Sequence, residues 1–400
     1  MSFRKLNTLD AAGRRLFVRV DFNVPLKPEG GVADDTRIVA SLPTLRYLLD
    51  KGAKLIVASH LGRPKGKPDP RQSLKPVRDV LEKYLKSTVR FGETIVGPEA
   101  EAQARALAPG EILLLENLRF DPREEKNDPG FSQALAALAE AYVNDAFGSA
   151  HRAHASTVGI TAHLHDRVAG FLMEKELNAL GRLLHGAERP YVAILGGAKI
   201  SGKIDVLQNL LPRVDRVLVG GGMMFTFLRA KGLATGRSLV EEDKVALAAS
   251  LLGSSEGAKL VLPEDCRVAS GPDGSDPGRV VPVTAIPGES MGVDIGPVSL
   301  GALATALADA KTVFWNGPMG IFEVAAYAEG TVGVAREMAR ATKRGAFTVV
   351  GGGDSLAAVH AAEVEHQITH LSTGGGASLE FLEGKELPGV AALEEAPRPA

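Results

Sequence analysis

Arginine recurs at chemically telling places in the N-terminal half of this chain. Arg63 follows Ser59-His60-Leu61-Gly62, Arg119 follows Glu116-Asn117-Leu118, and Arg152 follows Gly148-Ser149-Ala150-His151. Each of the three lies just beyond an apolar, strand-like run. Arg37, in Asp35-Thr36-Arg37, opens a helical stretch after the loop that leaves the first such run. A lone arginine is ordinarily a solvated surface group. Three at strand ends with a fourth beside them can converge on one pocket, where planar guanidinium forks hold phosphate or carboxylate through paired hydrogen bonds. The ligand implied is a small, multiply charged anion, with His60 beside it; scattered surface charge is the alternative. Asp21 and Asn23 flank Phe22 in Arg19-Val20-Asp21-Phe22-Asn23-Val24-Pro25. A carboxylate and an amide at a strand end can read hydroxyl groups of a small substrate, although both residue types also favour turns on their own account.

The C-terminal half offers glycine instead. Its turns are Gly196-Gly197-Ala198-Lys199, Gly220-Gly221-Gly222, Asn316-Gly317-Pro318-Met319-Gly320, Gly351-Gly352-Gly353-Asp354-Ser355 and Gly374-Gly375-Gly376-Ala377-Ser378. Glycine lets backbone N–H groups approach a phosphate closely, and a helix N-terminus adds a favourable dipole. One such turn also serves any tight strand–helix junction, but several together point to a nucleotide domain. Asp354 is the candidate Mg²⁺ ligand, since Mg²⁺ is held by one or two protein carboxylates plus substrate phosphates. Asp is equally a common helix N-cap, and the two roles are compatible. Residues 197–204 nearly match the P-loop pattern, but Ile204 stands where a metal-binding Ser or Thr is required. A P-loop NTPase is therefore the second reading. No G-x-G-x-x-G opens a helix, which counts against a dinucleotide-dependent oxidoreductase.

His151 and His154 have a spacing that can ligate metal, but no third ligand stands at a familiar distance. Polar packing is the expected role. Cys266 is the single cysteine. It reads as a small buried thiol, and the lack of any disulfide framework suits a reducing, cytoplasmic setting.

The elements that must position these groups follow from the apolar pattern. Continuous apolar runs at 15–20, 54–59, 112–116, 142–145, 191–195, 216–219, 259–262, 312–315 and 347–350 read as strands buried on both faces of parallel sheets. Helical periodicity at 41–51, 131–141, 171–184 and 243–252 alternates with them, and Pro43 is expected in a first helical turn. The alternation predicts doubly wound α/β sheets, whose ligands sit beyond the carboxyl ends of the strands. At 400 residues, with 45% apolar and 24% charged, there is room for two domains. The helix at 171–184 is expected to bridge them before the break at 186–190. A net charge of -2 argues against nucleic acid or an anionic membrane as main partner. No apolar run reaches the ~18 residues that span a bilayer.

In family order along nearly the whole chain, Arg19–Pro25, Ser59–Pro64, Glu116–Phe120, Gly148–Ser156, Gly196–Lys199, Phe314–Gly320, Gly351–Ser355 and Gly374–Glu380 resemble the motifs of phosphoglycerate kinases. The resemblance implies two doubly wound, Rossmann-like parallel-sheet domains at 1–170 and 186–384, a helical hinge at 171–185, and a segment 385–400 returning to the first domain. The N-terminal domain would bind 3-phosphoglycerate or 1,3-bisphosphoglycerate through Asp21, Phe22, Asn23, Arg37, His60, Leu61, Gly62, Arg63, Arg119 and Arg152. The C-terminal domain would bind ADP or ATP through Lys203, Gly292, Asn316, Glu323, Gly352, Gly353, Asp354 and Ser355, with Asp354 on Mg²⁺. Arg37, Lys199 and the amides of Gly374, Gly375 and Gly376 would surround the transferring phosphoryl group. A cytoplasmic monomer, closing about its hinge before reversible in-line transfer from bisphosphoglycerate to Mg-ADP, is the implied enzyme. Met291–Gly296 departs from the family pattern, where an aromatic often precedes, so the nucleobase side is the loosest match.

Overall fold

Runs of Val, Ile and Leu with no polar alternation must be covered on both faces. In the computed structural model, which describes residues 3–394, they form two separate six-stranded parallel sheets. The chain divides into two compact units, one up to Asn178 together with the segment from Glu386, the other Ala179–Lys385.

In the first unit the strands are β1 (Arg15–Val20), β2 (Lys54–Ala58), β3 (Val89–Gly92), β4 (Ile112–Leu115), β5 (Ala141–Asp145) and β6 (Arg167–Ala169). Their spatial order is β3-β4-β2-β1-β5-β6. Helices α1 (Thr36–Asp50), α2 (Lys75–Leu85), α3 (Pro98–Arg105) and α4 (Pro129–Ala136) connect them. The chain leaves β1 toward β2 and later returns to pair β5 on β1's other side. The order therefore reverses between β1 and β5, the place where such sheets open a crevice for ligand. Leu16, Val18, Val20 and Phe22 join Ile38, Leu42, Leu45 and Leu48 of α1 in the core. From Glu386 the chain lies against this unit: the Gly389 amide donates to the Ala150 carbonyl at 2.8 Å. Residues 395–400 lie outside the described residues.

Helix α5 (Phe171–His185) begins in the first unit, and the division between units falls within it. Its start is tied by Asp145, whose Oδ1 accepts from the amides of Leu172 at 2.9 Å and Met173 at 3.2 Å.

The second sheet is built from β7 (Tyr191–Leu195), β8 (Arg216–Val219), β9 (Leu260–Val261), β13 (Thr312–Asn316), β14 (Phe347–Gly351) and β15 (His370–Ser372). It runs parallel in the order β15-β14-β13-β7-β8-β9, reversing between β7 and β13. Its helices are α6 (Ile204–Leu210), α7 (Met223–Ala230), α8 (Val245–Gly253), α9 (Pro297–Leu307), α10 (Glu329–Lys343), α11 (Gly353–Ala361) and α12 (Gly376–Leu382). A small antiparallel sheet, β11-β10-β12, is inserted from Asp265–Ala269 (β10), Arg279–Pro282 (β11) and Met291–Ile295 (β12). The periodicity did not signal it.

Three local expectations are corrected. Helix α1 starts at Thr36 instead of residue 41, because Asp34 Oδ1 accepts from both the Thr36 amide and hydroxyl, at 2.8 and 2.6 Å. Pro43 consequently sits inside the helix. The helix expected over 131–141 ends at Ala136, leaving Ala141 free to start β5.

Candidate functional site

At the β1/β5 switch point Asp21 leaves β1 and meets Arg37 from the first turn of α1, with Nη1 2.5 Å from Oδ2. Burial pushes the Asp21 carboxyl up, but the charges of Arg37 and Arg19 and the Asn23 amide hold it below its usual value. Asn23 Oδ1 accepts from the Gly62 amide at 2.9 Å, and the Gly62 carbonyl accepts from Arg119 Nη1 at 2.8 Å. Asn117 braces the same loop, accepting from the Leu61 amide at 3.1 Å and donating to the Leu61 carbonyl at 2.7 Å. The turn at Phe147–Ser149 must pass very close to Asp21: a Cβ on Gly148 would lie 2.3 Å from Asp21 Oδ2.

Asp21, Asn23, Arg37, Gly62 and Arg119 are thus joined by direct contacts, and His60 lies close enough to Asp21 to feel its charge. Arg152 is solvent-exposed and acts on Arg119 and His154 electrostatically. Arg63 is exposed one residue beyond Gly62. Phe22 is buried in the core, with its amide held by Ser59 Oγ at 2.8 Å, and Leu61 is buried too. Their backbone amides are taken by Ser59 Oγ and Asn117 Oδ1, so both residues shape the loop. His154 is pushed down to about 3 by burial and by Arg19, Arg119, Arg152 and His151. It is a neutral packing residue, and no group of three metal-ligating side chains occurs among the described residues.

Beneath this site lies a buried network that periodicity alone passed over. Arg19, the penultimate residue of β1 and fully buried, donates through Nε to Ser156 Oγ at 2.8 Å and through Nη1 to the Val20 carbonyl. Ser156 in turn donates its amide at 3.0 Å and its hydroxyl to buried Glu124. The signal was present in the sequence: a charge inside a strand covered on both faces must be paired.

In the second unit the turns that follow β7, β8 and β13 interlock at the β7/β13 switch point. The Gly196 amide donates to the Asn316 carbonyl at 3.0 Å, Gly197 to the Pro318 carbonyl at 2.8 Å, and Gly221 to the Met319 carbonyl at 2.9 Å. Gly221 has φ +65°, and its Cβ would lie 2.5 Å from the Gly197 nitrogen, so glycine is required there. The result is a cavity of about 310 Å³ whose walls include Gly197, Gly222, Phe225, Gly292, Asp294, Glu323 and Asp354. Asn316 Nδ2 donates to the Gly351 carbonyl at 2.7 Å, and Ser355 Oγ accepts from the Gly317 amide at 2.7 Å. These bonds set the β14–α11 junction, where Gly352 precedes the helix and Gly353, Asp354 and Ser355 form its first turn. The buried Asn316 Oδ1 has no hydrogen-bond partner among the described residues. Gly375 leads into α12 at φ +55°, between Gly374 and Gly376. Lys199 is exposed, whereas burial pushes Lys203 down to about 8 against the pull of Asp354 and Glu383.

Asp294 was not singled out from the sequence. Burial drives its carboxyl up to about 7, against hydrogen bonds from the Gly330 amide at 2.7 Å and the Ile295 amide at 2.9 Å. It fastens β12, one wall of the cavity, to the start of α10. Cys266 is a buried thiol pushed up to about 12 by burial and by Asp265, as expected for a packing residue.

One switch point gathers guanidinium groups, and the other opens between backbone amides and glycines. Two separate switch-point crevices, one lined by arginines and one walled by glycines, mark a two-unit α/β protein of the class that takes small ligands beyond its strand ends. The phosphoglycerate kinase family model matches residues 6–385. The phosphoglycerate kinase of Chlorobaculum tepidum is 54% identical over 99% of this chain and 100% of its own, and that of Moorella thermoacetica 56% identical over 98% of each. The solved structure of phosphoglycerate kinase from Coxiella burnetii superposes with a TM-score of 0.87 at 37% identity, covering 98% of this chain and 99% of that one. The chain belongs to the phosphoglycerate kinase family. It is a kinase that uses a carboxyl group as phosphoryl acceptor. No helix among the described residues is long and apolar enough to cross a membrane.

Proposed function

We propose that the first unit holds 3-phosphoglycerate or 1,3-bisphosphoglycerate and the second holds ADP or ATP, each at its switch point. The supporting observation is the segregation of the Asp21–Arg37–Asn23–Gly62–Arg119 cluster from the glycine-walled cavity. Arg37, Arg63, Arg119 and Arg152 neutralise the acidic substrate and His60 hydrogen-bonds to it, while Asp21 and Asn23 read its hydroxyl with the loop residues Phe22, Leu61 and Gly62. Lys203, Gly292, Asn316, Glu323, Gly352, Gly353, Asp354 and Ser355 hold the nucleotide.

An acyl phosphate already carries a good leaving group, the carboxylate. No side chain needs to act as general acid or base, so the rate rests on alignment and on charge stabilisation. Arg37, Lys199 and the amides of Gly374, Gly375 and Gly376 donate to the oxygens of the phosphoryl group as it moves in line between the two ligands. Asp354, an exposed carboxylate at the head of α11, and the orphaned oxygen of Asn316 make an oxygen donor set that fits Mg²⁺ arriving with the nucleotide. When bound, Mg²⁺ neutralises nucleotide phosphate charge. With the ligands assigned to different units, transfer requires closure about the helix at 171–185, which also excludes water from the acyl phosphate. All assigned residues come from one chain, so a monomer suffices, and the proposed location is the cytoplasm. The test is ATP formation from 1,3-bisphosphoglycerate and ADP by purified protein, with and without EDTA. Fast formation abolished by EDTA is expected; folded protein that forms no ATP contradicts the proposal.

A further inference from the structure

His60 is an assigned substrate ligand whose second ring nitrogen is already spoken for. Arg19 Nη2 lies 3.2 Å from His60 Nδ1, inside the buried network beneath the anion site. Arginine has five donors, no acceptor and no accessible neutral form. This contact is therefore a hydrogen bond only if Nδ1 is the acceptor, which requires an uncharged ring carrying its hydrogen on Nε2. No hydrogen bond within the described residues engages Nε2, and His60 is 6% exposed at the head of the loop 60–63.

We propose that Arg19 is a positioning residue that fixes His60 in the Nε2–H tautomer, making it a neutral hydrogen-bond donor to the substrate anion rather than a cation or a base. The inference rests on the reading of His60 as a substrate ligand.

Arg19 is itself over-determined. Ser156 and the Val20 carbonyl accept from its Nε and Nη1, and Glu124 accepts from Ser156, so Nη2 has little freedom to turn from the imidazole. A protonated ring would break the Nδ1 contact and put two cations against each other in a buried place. The charged groups facing His60 are Asp21, which favours the cation, and Arg19, Arg119 and Arg37, which oppose it. Burial is the largest influence, and the outcome is a proton affinity well below that of free histidine. Positive charge at the anion site then comes from arginines alone, so substrate affinity should not follow histidine titration.

The test is long-range ¹H–¹⁵N correlation on the ¹⁵N-histidine-labelled full chain, with His60 assigned from its absence in His60→Gln. Expected are an unprotonated Nδ1 and a protonated Nε2 at every pH from 5 to 8. A protonated Nδ1 at pH 7, in either the other tautomer or the cation, overturns the proposal. Arg19→Met should scramble the tautomer signals and raise the KM for 3-phosphoglycerate by about tenfold, the usual scale for losing a hydrogen bond to a charged group, while the nucleotide KM stays within about twofold. Arg19→Lys should restore part of the loss. An unchanged tautomer in folded Arg19→Met also overturns it; if that variant does not fold, the wild-type spectrum decides. Saturating 3-phosphoglycerate should move the Nε2 signal. An Nε2–H tautomer without that shift supports the lock and counts against His60 as a ligand.

Discussion

Replacing Asp294 by asparagine isolates what a buried carboxyl costs at the wall of the nucleotide cavity. The side chain is 2% exposed, and burial raises it to about 7, with Glu329 adding to the rise. The amides of Gly330 and Ile295 and the charge of Arg267 oppose this without overcoming it. In the unfolded chain the group titrates near ~3.9. Between about pH 4 and 7 the folded protein therefore keeps a proton that the unfolded chain has released, so stability falls as pH rises through that window. Three pKa units at about 1.36 kcal/mol each amount to a change on the order of 4 kcal/mol. Asparagine cannot ionise, and the hydrogen bond it mismatches is a pH-independent offset. Trp315, the chain's one tryptophan, is buried in β13 of the same unit and reports its unfolding by fluorescence. Denaturant titrations of both proteins from pH 4 to 8 should show wild type losing about 4 kcal/mol relative to Asp294→Asn, mostly between pH 5 and 7. A difference flat with pH, or one that moves in wild type's favour as pH rises, refutes the reasoning. The latter would mean that the two amides and Arg267 outweigh burial.

Gly292→Ala places a Cβ 1.9 Å from Phe225 Cζ, so the ring must shift in the cavity. Overpacking of about 1–3 kcal/mol predicts a nucleotide KM raised about tenfold or more with the 3-phosphoglycerate KM unchanged; equal effects on both would detach the cavity from the nucleotide. Lys203, held at about 8, loses its charge as pH passes that value. ADP affinity measured by calorimetry should weaken from pH 7 to 9 in wild type and much less in Lys203→Arg; parallel profiles would remove Lys203 from phosphate binding. Asp145→Ala removes the acceptor for the first amides of α5, and capping losses of about 1–2 kcal/mol should appear in urea denaturation followed by circular dichroism, whereas an unchanged midpoint would deny Asp145 that role.

The strands that carry the two sites were legible because burial on both faces leaves continuous apolar runs, as in Leu55–Ala58 and Val192–Leu195. Strands without that constraint were not. The edge strand β3 exposes Arg90, β6 and β15 are three residues each, and β11 is largely solvent-facing, so none shows a period. The proposed site residues stand out in the sequence as unusual types at strand ends: arginine after β2, β4 and β5, glycine after β7, β8 and β13. Asp294 and Arg19 lie inside strands, where sequence position suggests a face but not a partner. Their roles depend on Gly330 and Ser156, which are distant in sequence.

The central claim is that transfer is driven by positioned positive charge without an acid or base. Its most direct test is the turnover number of Arg37→Ala and Lys199→Ala at saturating substrates, with folding checked by denaturation midpoint. Each should lose about 10²–10³-fold in kcat, the scale for removing one preorganised donor, while the midpoint stays near that of wild type. A folded variant of either kind with near-normal kcat would contradict the account.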